Sequence, residues 1–113
     1  MKKIYVVHFQ CGRYSDYRDI SLRAFTDFKT AEKWKKAAEE EAAYLLERLK
    51  EARDRWDGEV HPEGSDYFNG TEWLHKNNLS PRFYECLDEW DLISGVTYSV
   101  EGLDLYEVSE EGA

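Results

Sequence analysis

The sequence predicts an α+β domain: an antiparallel sheet of three or more strands packed by one long helix, with a second, shorter helix. Three observations predict it. Apolar residues recur at helical spacing through the first half, β-branched and aromatic runs stand at both ends of the chain, and glycine-rich and proline-containing stretches separate them. With 113 residues the chain is the size of one domain, read as residues 1–113 with a loop over 57–70 and an acidic tail over 109–113. Hydrophobic residues at 42% and aromatics at 15% supply too much core for a disordered acidic chain.

Ile4 to Phe9 is the first strand, with Tyr5, Val7 and Phe9 on one face and Ile4, Val6 and His8 on the other. Ile20, Leu22 and Ala24 alternate with Ser21, Arg23 and Phe25, which predicts a second strand. Gly12, Ser15, Asp16 and Asp19 between them have loop composition, so the pair reads as a long-looped hairpin. Asp27 is placed to cap a helix over about 28 to 56, whose apolar face is Ala31, Trp34, Ala38, Ala42, Leu45, Leu49, Ala52 and Trp56. Such a helix would run about 43 Å, against about 20 Å for a six-residue strand, so its far half needs another partner.

Gly58, Pro62, Gly64, Asn69 and Gly70 mark the loop over 57–70. Ser80-Pro81 has the form of a helix start, which predicts the second helix there, with Phe83, Leu87 and Trp90 inward and Glu85, Asp88 and Glu89 outward. Val96 to Val108 returns to strand character. Glu101-Gly102 makes it either one long strand with a glycine bulge, the reading preferred here, or a tight hairpin.

Charge divides the chain. Residues 1–26 sum to +3, residues 27–56 to zero, and residues 57–113 to −12, where fourteen acids face only Lys76 and Arg82. The total of −9 opposes direct binding to nucleic acid or an anionic membrane and favours basic protein surfaces as partners. No apolar run approaches the roughly 20 residues of a membrane span, and the start lacks a signal-peptide pattern, so a cytoplasmic location is expected. Cys11 and Cys86 are too few for a disulfide-stapled domain and read as free thiols.

No phosphate loop, nucleophile elbow, Cys-x-x-Cys pair or His-Glu-x-x-His helix occurs, and no cofactor is expected. His8 and Cys11 fall on opposite faces of a strand, and His61, His75 and Cys86 match no zinc spacing. Glu85, Asp88 and Glu89 have the spacing to converge on a divalent cation, as a metal-dependent hydrolase would need, but the same residues suit a solvated helix face. Tyr14, Tyr17, Tyr67 and Phe68 lie in loops of small polar residues, a mixture that serves both protein recognition and loop anchoring.

The strand Ile4–Phe9, the loop Gly12-Arg13-Tyr14-Ser15-Asp16-Tyr17, the strand ending Ala24-Phe25-Thr26-Asp27 and the helix opening Thr30-Ala31-Glu32-Lys33-Trp34 resemble the start of small bacteriophage-encoded accessory proteins. Some of these are anti-CRISPR or other anti-defence inhibitors. The resemblance covers about a third of the chain and implies a non-catalytic inhibitor of a host defence protein, possible targets including a CRISPR effector with a basic surface. On that expectation Tyr14, Asp16 and Tyr17 supply shape, and Glu85, Asp88, Glu89 and Asp91 supply charge. A structural or regulatory subunit, with its acidity serving only solubility, is the other class of reading.

Overall fold

The computed structural model describes residues 2–12, 17–58 and 68–105. Its elements are β1 (Lys2–Cys11), β2 (Arg18–Phe25), α1 (Phe28–Asp57), α2 (Gly70–Lys76), α3 (Glu89–Ser94) and β3 (Val96–Leu105). β1 is central in an antiparallel sheet of order β2-β1-β3. The expected α+β class therefore holds, with the last strand returning from the far end of the chain to the first.

β1 shows why alternation matters. Val7, Phe9 and Cys11 are buried in the core, with Tyr5 packed against it, while Ile4, Val6, His8 and Gln10 fall on the opposite face by the period of two. β2 departs from simple alternation. Its register against β1 slips between Val7 and His8, leaving Leu22 without a partner of its own. One extra residue inverts the facing of everything beyond it. Ile20 and Leu22 pack on the core before the slip, and Phe25, rather than the expected Ala24, packs there after it.

β3 is one strand, as preferred from the sequence, but the glycine bulge is absent from its described residues. Its register with β1 runs unbroken from Lys2↔Leu105 to Cys11↔Val96. Gly102 lies opposite Tyr5 instead, where a Cβ would stand 3.4 Å from the ring.

α1 begins where Asp27 accepts hydrogen bonds from the backbone N–H and the hydroxyl of Thr30, at 2.9 and 2.8 Å. Those two bonds hold the Asp27 carboxyl below its ordinary value. Ala31, Ala38, Leu45, Leu49 and Ala52 are its buried face, and Trp34 and Ala42 flank them. Over its first turns the rings of Phe25, Trp34 and Phe83 form a chain, with centroids 6.0 and 5.0 Å apart. At the far end Trp56, Phe68 and Trp73 do the same, at 6.1 and 6.3 Å.

The distal half of α1 is covered by α2 and α3, not by a helix from Ser80. Residues 80–88 run without helix, and α3 starts at Glu89. Two interactions explain the difference. Glu41 on α1 accepts from the Arg82 backbone N–H at 2.9 Å and from its Nε at 3.1 Å, which satisfies this stretch of chain in an open form. Asp88 and Asp91 then build a capping box that fixes the helix start eight residues later. Phe83 and Leu87 still reach the core, but Trp90 faces out, so the three share no helix face.

α2 is an element the sequence reading assigned in part to the 57–70 loop. Asn69 caps it by accepting from the Glu72 N–H at 3.1 Å. Gly70 opens it because Glu89 crosses there: a Cβ would come as near as 2.5 Å to the Glu89 side chain. The remaining loop residues 59–67, with Tyr67, and the tail over 109–113 lie outside the described residues.

Candidate functional site

Seven residues were expected to form two separate binding elements, a loop and an acidic helix face. The structure rearranges them. Tyr14 and Asp16 lie outside the described residues. Glu85 sits exposed in a turn ahead of α3. Glu89 points inward, accepting from the Gly70 N–H at 2.8 Å and pairing with Arg53 of α1, while its own N–H donates to Thr71 Oγ1 at 3.0 Å. That carboxylate joins α1, α2 and α3. The expected solvated helix face of Glu85, Asp88 and Glu89 therefore does not exist, because the helix it needed starts too late.

Asp91 departs furthest from expectation. It is 1% exposed and pairs directly with Arg18 at the start of β2. The Cys11 thiol donates to Asp91 Oδ1 at 3.5 Å and lies 3.7 Å from its backbone oxygen. Burial pushes the Asp91 carboxyl above its ordinary range, with the backbone hydrogen bond at Asp88 and the Arg18 charge pulling against it. Burial also raises the Cys11 thiol, reinforced by the neighbouring Asp91, in keeping with its place as a donor to that carboxylate. Cys86 is free and exposed, and both cysteines are thiols as expected.

This pair ties the end of the β1–β2 hairpin to the start of α3, and the junction forms a cleft of about 450 Å³. Arg18 and Asp91 contribute to its lining together with Cys11, Gly12 and Asp88. Tyr17 and Trp90 complete it, 54% and 67% exposed. Neither ring has a partner among the described residues. The fold thus gathers three expected residues, Tyr17, Asp88 and Asp91, into one place, from two segments that were read separately.

Sequence reasoning did not place Cys11, Gly12, Arg18 or Trp90 in such a cleft. Trp90 appeared to belong inside a helix from Ser80, and Arg18 looked like an ordinary strand-end charge. A usable signal for Arg18 was present only in space, where its guanidinium lies over the Phe9 ring at 5.8 Å and meets Asp91 seventy-three residues away. The Asp88-x-x-Asp91 spacing was the local signal that α3 starts late.

On the opposite side of the sheet His8 Nε2 lies 3.2 Å from Glu101, and Nδ1 lies 3.3 Å from both Asp19 and Ser21. These contacts bridge all three strands, and they keep His8 well away from Cys11. Among the described residues no three His, Cys, Asp or Glu side chains are grouped to hold a metal ion. Glu85, Asp88 and Glu89 have separate placements rather than a common focus. Among the same residues, no helix is long and apolar enough to cross a membrane. No protein-family model, curated protein or solved structure matches the chain.

Proposed function

We propose that this chain is a non-catalytic binding module that inhibits a host defence protein in the host cytosol, in the manner of anti-CRISPR proteins, and that the Tyr17–Trp90 cleft is its recognition surface. The observation that carries the reading is the pair of exposed aromatic rings, without ring partners among the described residues, in a cleft tied together by the Arg18–Asp91 pair. Large rings left in water beside ionised groups are the usual anchors of protein interfaces, since they bury wide area at low cost in side-chain freedom. The charge of −12 over residues 57–113 supports a basic partner, because it would steer encounter with a positive surface. The resemblance of the first third to phage accessory proteins supports a defence target. Each expected metal ligand of the hydrolase alternative is employed elsewhere or isolated, so no observation favours that reading.

Expression in bacteria carrying active CRISPR systems of several types, followed by challenge with a targeted phage, tests the proposal. At least one system is expected to lose immunity when the wild-type chain is present. Intact immunity across the panel, with the protein soluble and abundant, would remove the anti-CRISPR reading.

A further inference from the structure

Resting on the reading of the cleft as a recognition surface, we infer that its occupant is a single arginine side chain of the partner, stacked on the exposed rings of Tyr17 and Trp90 and hydrogen-bonded to Asp88. The charge balance of the lining selects a cation. Arg18 is already matched by Asp91 in direct contact, which leaves Asp88 as the unbalanced charge among the described lining residues. One Asp88 oxygen accepts from the Asp91 N–H at 2.8 Å to cap α3, and the other accepts no hydrogen bond from the described residues. Asp88 lines the same cleft as the two rings.

The two kinds of lining group favour guanidinium over ammonium. Trp and Tyr faces attract a cation through the ring quadrupole, and a planar guanidinium can lie flat on such a face while its edge presents N–H donors to a carboxylate. An ammonium meets the charge requirement but has no plane to stack. The molecule already contains the same combination one layer below, where the Arg18 guanidinium lies over the Phe9 ring and bonds the Asp91 carboxylate. The inferred contact would repeat that arrangement at the surface, with the arginine supplied by the partner.

The test uses the whole chain and a small probe, so it does not depend on finding the partner. N-acetyl-arginine-N-methylamide is titrated in the millimolar range while the indole N–H of Trp90, assigned through Trp90→Phe, and the ring signals of Tyr17 are followed by NMR. Both are expected to shift and saturate. The uncharged citrulline analogue and the corresponding lysine derivative are expected to bind about tenfold more weakly or less, from the loss of charge and of stacking respectively. Asp88→Asn keeps a good capping residue while removing the charge, and is expected to weaken arginine binding by a similar factor of about ten. Equal responses to arginine and citrulline, or an unchanged response in Asp88→Asn, would overturn the inference. A lysine response equal to that of arginine would overturn the stacked geometry. Failure of this probe leaves the broader reading standing if alanine at Tyr17 and Trp90 still abolishes inhibition, whereas retained inhibition in that variant removes both.

Discussion

Phe9→Ala is expected to destabilise the protein by about 4 kcal/mol, the largest single effect in the molecule. The side chain is fully buried on the central strand, with the Tyr84 and Tyr98 rings at centroid distances of 4.7 and 5.7 Å and the Arg18 guanidinium over its face. Its removal leaves a cavity beneath the cleft that a strand held by neighbours on both sides cannot collapse to fill. Tyr98 reports how dry this region is, since burial raises its hydroxyl to about 12. Urea or guanidinium unfolding measures the loss, with Phe28→Ala as the comparison. Phe28 is 49% exposed, and its truncation should cost less than about 1 kcal/mol. A Phe9→Ala loss as small as that of Phe28→Ala would mean that the core is not centred on β1.

Arg18→Ala is expected to cost about 3 kcal/mol at neutral pH, at the low end for a broken buried pair because the Arg18 side chain is itself 41% exposed. The energy comes less from the lost attraction than from the Asp91 carboxylate left buried without a counter-charge. A double-mutant cycle with Asp91→Asn isolates that term: once the charge is gone, removing Arg18 should cost less than about 1 kcal/mol. The pH dependence follows from the direction of the Asp91 shift. Burial raises the folded-state value above the unfolded one, so the folded form takes up the proton more readily, and losing Arg18 strengthens that tendency. The Arg18→Ala variant should therefore recover stability relative to wild type as pH falls through the raised Asp91 value, and lose it again as pH rises. A deficit that does not change between neutral and mildly acidic pH would show that Asp91 is not the group responsible.

The parts of this fold that were legible in the sequence are those governed by local periodicity. α1 was readable to within a residue of its ends because 30 residues repeat the same face and Asp27 supplies an unambiguous cap. β1 and β3 were readable from β-branched and aromatic runs. What could not be read depends on partners distant in the chain. Phe25 replaces Ala24 on the core face only because of a register slip against β1. Residues 80–88 stay open because Glu41, some forty residues earlier, captures the Arg82 backbone. α2, at seven residues, is too short to display a period.

The same distinction explains the site. Tyr17, Asp88 and Asp91 were picked as a loop aromatic and concentrated carboxylates in separate segments, and the fold brings the three to one cleft. The reading placed Asp91 on an acidic surface, while the fold uses it as a buried tie to Arg18. Trp90 moved from the expected core to the rim for one reason: starting the helix at Glu89 rotates it away from the direction that a start at Ser80 would give. A shift in one helix start thus changed an acidic patch into a cleft with aromatic walls.

The double variant Tyr17→Ala/Trp90→Ala, assayed for loss of CRISPR immunity beside the wild-type chain in every system of the panel, tests the central claim most directly. Both rings are exposed, so the fold should lose no more than about 1 kcal/mol, which thermal unfolding verifies in the same preparation. The account predicts that immunity returns in cells expressing the folded double variant. Inhibition equal to that of the wild type would contradict it and place the recognition surface elsewhere on the molecule.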